Sequence, residues 1–306
     1  MINVRKNSFR IFQYNGIDVY LHWWWFLVAA YEIGERQSAY SSVLWNVLEY
    51  LALFLIVLTH EFGHALACRQ VGGTANQIVL WPLGGVAYVN PPQRPGAMLW
   101  SIAAGPLVNV VLIPVFYAIG HLMRAAGLAQ EMPNLFLLIQ TVALINVGLL
   151  IFNMLPVYPL DGGQILRSLL WFVMGRARSL MAVTIIGFLG VIGLFLLALQ
   201  AKSVWYGVIS VYILMNCWKG WNQARALLRI SKLPRHLGFY CPSCKSSPPL
   251  GEYWRCSNCQ KNFDTFQSQA VYPHCTTSFA TTACLDCGRT YPMREWAGAA
   301  FIPPTT

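Results

Sequence analysis

The run His60-Glu61-Phe62-Gly63-His64, set inside an apolar segment, constrains this chain more than any other feature. On a helix, residues four apart share a face, so two imidazoles at this spacing can converge on one metal ion. Glu61 stands beside them and can act as base toward a water. Val43 to Leu58 is almost wholly apolar, and Ala65-Leu66-Ala67 continues the run past the motif. An ionised group near a bilayer centre costs about 2.5–3.5 kcal/mol on insertion scales, so polar residues kept there point to chemistry. The pattern predicts a metal-dependent hydrolytic centre inside a membrane.

Composition fits that setting. Of 306 residues, 56% are hydrophobic and 10% charged, whereas soluble domains carry about 25% charged residues. The net charge of +10 could signal nucleic acid or acidic lipid. Its distribution favours a simpler origin, because Lys and Arg accumulate in the cytoplasmic loops of membrane proteins. Six spans are read at roughly 18–33, 43–67, 97–122, 135–156, 180–200 and 203–218, against the ~20 residues needed to cross. With the N-terminus inside, only Arg36, Arg124 and Lys202 fall outside, three of 21 Lys and Arg. A multi-pass protein with both termini in the cytoplasm is therefore expected. The first span also has features of a signal peptide: Arg5, Lys6 and Arg10 precede an apolar run ending Val28-Ala29-Ala30. Asp18, His22 and Trp23-Trp24-Trp25 are poor material for such a core, and the tryptophans suit interfacial anchoring better.

Residues 71–96 carry Gly72-Gly73, Pro82, Gly84-Gly85, Pro91-Pro92 and Pro95, with β-prone stretches at Gln77 to Trp81 and Val86 to Val89. This predicts one or two hairpins near the cytoplasmic surface. Non-helical backbone at membrane depth is tolerated only beside protein or a water-filled cavity, so a cavity is expected next to the motif helix.

Catalytic zinc usually takes three protein ligands. His22, His121, His236 and His274 lie near other span ends or in the tail, and Asp161 is the outstanding carboxylate. It closes Asn153-Met154-Leu155-Pro156-Val157-Tyr158-Pro159-Leu160-Asp161-Gly162-Gly163 at the end of the fourth span. His60 lies about 17 residues into its span, roughly 25 Å at ~1.5 Å per residue. That is a depth Asp161 can reach.

With these two motifs the chain resembles the site-2 protease family of intramembrane metalloproteases. Supporting likeness comes from Gly16 to His22, Pro82-Leu83-Gly84-Gly85 and Gly105-Pro106-Leu107-Val108-Asn109. The resemblance covers roughly residues 10–220 and implies that His60, His64 and Asp161 bind zinc while Glu61 activates water. It further implies cleavage of transmembrane helices in membrane-protein substrates, in some relatives as regulated intramembrane proteolysis. Asn109 and Asn153 are candidates for orienting substrate or stabilising an oxyanion, or for interhelical hydrogen bonds. No stretch resembles a PDZ module or a paired nucleotide-sensing module.

Composition changes after Trp221. Arg225, Arg229, Lys232 and Arg235 form a basic linker over 221–240, suited to acidic headgroups. The core, 1–220, is then followed by a cysteine-rich, zinc-ribbon-like domain over 241–306. There Cys241, Cys244, Cys256 and Cys259 form two C-x-x-C knuckles suited to a structural zinc. A second copy, imperfect because Tyr272 takes the place of its first cysteine, either binds zinc through Cys275, Cys284 and Cys287 with His274 as a fourth donor, or has lost its metal and persists as a packed β unit. The tail can thus hold one or two structural Zn2+ beside the catalytic one, as one unit or two in tandem. Disulfides fit a cytoplasmic tail less well. Cys68 and Cys217 lie at span ends as apolar residues. Lys245, Arg255, Lys261, Arg289 and Arg294 form no dense basic run, which favours substrate gating or a cytosolic protein partner over nucleic acid. The expected architecture is an α-helical polytopic membrane protein of about six transmembrane helices, with a membrane-associated β-hairpin region and this small domain. The rival reading is a non-proteolytic membrane zinc-binding or adaptor protein, for which Glu61 would have no use.

Overall fold

The structure is a computed structural model that describes residues 8–35, 40–81, 84–271 and 274–296. It opens with strands β1 (Ser8–Tyr14) and β2 (Ile17–His22), an antiparallel hairpin closed by the two-residue turn Asn15-Gly16. Asn-Gly favours this kind of tight connection. Helices α1 (Trp24–Glu35) and α2 (Val43–Gln70) lead to β3 (Thr74–Trp81), which runs parallel to β2. Strand β4 (Gly84–Asn90) pairs antiparallel with β3, and the sheet order β1-β2-β3-β4 leaves β4 at an edge. Pro82 and Leu83, of the expected Pro82-Leu83-Gly84-Gly85 turn, lie outside the described residues.

The sheet packs on α2. Ile17, Val19, Ile78 and Leu80 are fully buried against Val57, Leu58, Ala65 and Cys68. Arg69, in the last turn of α2, fastens the helix end to the sheet: its guanidinium donates to the carbonyls of Asn15, Gly16 (3.0 Å) and Ala75 (2.9 Å).

Beyond the sheet come α3 (Pro95–Ala125), the short α4 (Leu128–Glu131), α5 (Pro133–Asn153), α6 (Asp161–Gln200) and α7 (Val204–Ser231). The prolines at the starts of α3 and α5 sit where a helix has no use for the missing N–H. Helix α6 bends at Gly175, where φ is 80° and ψ 170°, so it forms two limbs. The second limb pairs with α7 through Leu180, Val183 and Ala224.

Among the described residues, four helices are long and apolar enough to cross a bilayer: α2, α3, α5 and α6. Many of their large apolar side chains face outward, among them Leu44, Val111, Tyr117, Leu144 and Leu189. That surface is matched to lipid rather than water.

Several sequence-based boundaries move. Residues 18–22 of the expected first span belong to β2, because alternate residues there bury into the sheet core. The 12 residues of α1 reach about 18 Å, short of the ~30 Å hydrocarbon core. Trp23 and Trp24 are exposed, but Trp25 is 4% exposed and packs on Tyr50 and Phe54, so it is a core residue and not an anchor. Asp161 starts α6 instead of ending the fourth span, which stops at Asn153. Helix α7 runs to Ser231, taking in half of the expected linker.

The tail contains two small antiparallel sheets, β5 (Trp254–Arg255) with β6 (Asn262–Phe263) and β7 (Thr282–Ala283) with β8 (Thr290–Tyr291). The short helix α8 (Met293–Trp296) follows. Trp254, Phe263, Phe266 and Trp296 pack with the cysteines into a core separate from that of the membrane helices.

Candidate metal centre

Helix α2 presents His60 and His64 on one face, and the break between α5 and α6 delivers Asp161 opposite them. His60 Nε2 lies 3.1 Å from Asp161 Oδ2 and 3.1 Å from His64 Nε2. His64 Nε2 lies 3.3 Å from the same carboxylate oxygen. Ligands bonded to zinc at ~2.0–2.1 Å in a tetrahedron stand about 3.3 Å apart. The three donors are therefore spaced as the corners of a metal site.

Hydrogen bonds on the far side of each ring strengthen this reading. His60 Nδ1 lies 2.5 Å from Asn109 Oδ1, and His64 Nδ1 lies 2.9 Å from the Ser101 carbonyl. The Asn109 amide is oriented by its neighbour: its Nδ2 donates to Asn146 Oδ1 at 2.8 Å, while Asn146 Nδ2 donates to the Asn109 carbonyl at 2.9 Å. Both far-side partners are thus acceptors, so each ring carries its proton on Nδ1 and turns a bare Nε2 lone pair inward. Two lone pairs and a carboxylate facing one another repel unless a cation lies between them. The donor set fits Zn2+.

Glu61 lines the same cavity as the three donors. Its Oε2 accepts the Ala87 backbone N–H of β4 at 2.8 Å. Two glycines permit the crowding. A Cβ on Gly105 of α3 would overlap the imidazoles of His64 and His60, and one on Gly85 of β4 would overlap the Glu61 side chain. These are positions where backbone must come within touching distance of a functional group.

A cavity of ≈ 410 Å³ opens beside the site. Its wall includes His60, Glu61, His64 and Asp161, the inner face of β4 at Gly85, Ala87 and Val89, and Asn153, Gln164, Tyr212 and Asn216. The sequence had marked His60, Glu61, His64, Asp161 and Asn153 among these. Asn109, by contrast, is fully buried, with its amide oxygen on His60 and its amide nitrogen on Asn146. Of the two readings open for it, the interhelical hydrogen bond is the one seen.

Sequence reasoning missed Asn146, Ser101, Ala87, Tyr212 and Asn216. Asn146 and Asn216 left a trace, as polar residues in apolar stretches. The other histidines take no part: His22 stacks on Trp81 and His236 Nε2 meets Asp264 at 2.8 Å. Replacing Asn109 by Ala should free the His60 ring and weaken zinc binding by about 10–100-fold, the usual cost of losing a partner behind a metal ligand. Competition with a chelator of known affinity measures this.

In the tail the cysteines group differently from their order in the chain. Cys241 and Cys244 lie with Cys284 and Cys287, and Cys256 and Cys259 lie with Cys275. The expected set Cys241, Cys244, Cys256 and Cys259 is split between these groups, as is the set Cys275, Cys284 and Cys287. His274 belongs to neither. The knuckles at each end of the tail meet in one core with Phe263, Phe266 and Trp296. Tyr272, which stands where the second copy would have a cysteine, is outside the described residues.

Comparison with known proteins agrees with the geometry. The profile of peptidase family M50 matches residues 49–134 and 125–197. A zinc metalloprotease of Methanocaldococcus jannaschii is 30% identical over 206 residues, which are 67% of this chain and 58% of that protein. Stage IV sporulation protein FB of Bacillus subtilis is 29% identical over 197 residues, 61% of this chain and 64% of that one. The chain thus spans less than two thirds of each of these relatives. Among solved structures, a site-2 protease from Methanocaldococcus jannaschii superposes with a TM-score of 0.51 at 26% identity. The overlap covers 70% of this chain and 95% of that one. With its paired motifs, apolar helices and matching fold, the chain is an integral membrane member of peptidase family M50, the site-2 protease family.

Proposed function

We propose that this protein is a zinc-dependent endopeptidase that hydrolyses peptide bonds in or near transmembrane segments of membrane-protein substrates. The observation that carries the reading is the convergence of two bare imidazole nitrogens and one carboxylate within 3.1–3.3 Å, with Glu61 on the same cavity wall. His60, His64 and Asp161 would hold the metal. Bound zinc would supply a Lewis acid that polarises the scissile carbonyl and acidifies water.

The remaining work falls to the chain's own groups. Glu61, held by the Ala87 N–H, takes the proton from the attacking water and returns it to the leaving amine. The Asn153 amide on the cavity wall is suited to donate to the developing oxyanion. Strand β4 is at the sheet edge and lines the cavity, so its free side can receive an extended substrate segment by strand addition. A transmembrane helix must unwind before its backbone reaches a base, and pairing with β4 compensates the hydrogen bonds lost.

A multi-pass topology with both termini in the cytoplasm matches the asymmetry of Lys and Arg. The tail, with its own core and a structural metal, would then act beside the core in substrate selection or in docking a cytosolic partner. The test is purified chain in detergent mixed with a panel of single-span substrates. Zinc-dependent cleavage inside or next to the apolar segment of at least one substrate is expected. Absence of cleavage across the panel, with zinc bound, would favour the binding-protein reading.

A further inference from the structure

The tail cysteines stand in a second converging arrangement. Cys241 Sγ is 3.6 Å from Cys287 Sγ, and Cys244 Sγ is 3.7 Å from Cys284 Sγ. Ligand atoms of all four lie within 4.8 Å of one another. None is in a disulfide. Thiolates bonded to zinc at ~2.3 Å in a tetrahedron stand about 3.8 Å apart, so these spacings suit four corners of a closed metal site. Cys241 and Cys284 are buried, which hides the thiols from oxidants and from exchange.

The membrane core faces this cluster with a cation, Arg176, whose guanidinium lies over the Trp171 ring at 5.9 Å from its centroid. Arg176 opens the second limb of α6, immediately after the bend at Gly175. Its Nε and Nη1 are buried and have no hydrogen-bond partner. It shares a cavity of ≈ 290 Å³ with Cys244 and Asp286 of the tail. Asp286 is already engaged, holding Arg235 in a two-pronged pair at 2.6 and 3.2 Å. Arg176 is half-buried, and guanidinium nitrogens removed from water without an anion in contact are costly. Four thiolates around one divalent zinc leave a net double negative charge across the cavity. A further contact points the same way: Arg289, two residues past Cys287, donates to the Asn90 carbonyl at the end of β4 at 3.2 Å.

We propose that Cys241, Cys244, Cys284 and Cys287 form one closed zinc site, and that the negative charge of this site seats the tail on the membrane core through Arg176. The site joins the first knuckle of the tail to the last and encloses the Cys256, Cys259 and Cys275 group between them. Loading the tail with metal thereby both folds it and docks it, without adding a hydrolytic centre. A closed site has no open position for substrate.

The experiment uses the full chain in detergent, with zinc content and limited proteolysis of residues 232–240 as readouts. The double variant Cys284→Ser/Cys287→Ser should lose about one zinc per chain and expose the linker to cleavage. Unchanged zinc content would mean that Cys241 and Cys244 are served by other ligands and would overturn the site. Should the double variant aggregate, Cys287→Ser alone, loaded with Co2+, should show weakened thiolate-to-cobalt absorption; an unaltered spectrum overturns the site as well. Arg176→Gln keeps every thiol, so zinc content should stay at the native value while linker cleavage speeds up roughly tenfold. Arg176→Lys should restore part of the protection. Native cleavage rates in Arg176→Gln would overturn the docking role.

Discussion

Glu61→Gln should abolish peptide hydrolysis while zinc content stays at the native level. The substitution keeps the size of the side chain, and the oxygen of the new amide can still accept from the Ala87 N–H that holds Glu61 at 2.8 Å. What is lost is the ability to take a proton. General-base contributions run to about 10²–10⁴-fold, so the rate should fall by at least the lower figure. Glu61 is not one of the three converging donors, so the metal has no reason to leave. Cleavage of a reconstituted substrate and zinc measured on the same sample decide the matter. Native activity at native zinc content would remove Glu61 from the mechanism.

His64→Ala should lose metal and activity together. His64 is one of three donors that converge among the described residues, and its removal leaves His60 and Asp161 with a hole where a buried imidazole had been. Two protein ligands do not hold zinc against a chelator in the way three do. The fold should survive, because the α2 face around the site is held by packing against the sheet at Val57, Leu58, Ala65 and Cys68. The expected result is a soluble detergent complex with native thermal behaviour apart from a zinc-dependent increment, zinc below stoichiometry and no cleavage. Full zinc in His64→Ala would show that the metal is held elsewhere. Comparing the two variants separates holding the metal from moving the proton.

Much of this centre was legible because its parts are local. Four-residue spacing on a helix brings His60 and His64 to one face whatever surrounds them. Pro156 and Pro159, three residues apart, remove two backbone donors and disfavour a continuous helix there, so the carboxylate was expected near a helix end. The first span was misjudged for the converse reason. Residues 18–22 open an otherwise apolar stretch, yet Val19 and Leu21 alternate with more polar neighbours and the segment is claimed by a sheet whose partner strand, β3, lies beyond the whole of α2 in the chain. Trp25 follows the same logic, since its neighbours Tyr50 and Phe54 come from the next helix.

By itself, the sequence determined an apolar helical chain, the paired histidines with their glutamate, and a cysteine-rich tail able to bind metal. These follow from composition, helical repeat and donor chemistry, which need no knowledge of distant contacts. The tertiary structure decided which acceptors sit behind each imidazole, so that bare nitrogens face Asp161, and which backbone N–H orients Glu61. It also decided that Cys241 and Cys244 meet Cys284 and Cys287 and not the nearer Cys256 and Cys259. Knuckles closer in sequence close a shorter loop at lower entropic cost, but that cost grows only slowly with length. The longer closure goes with a buried core of Phe263, Phe266 and Trp296, whose contacts offset that small cost.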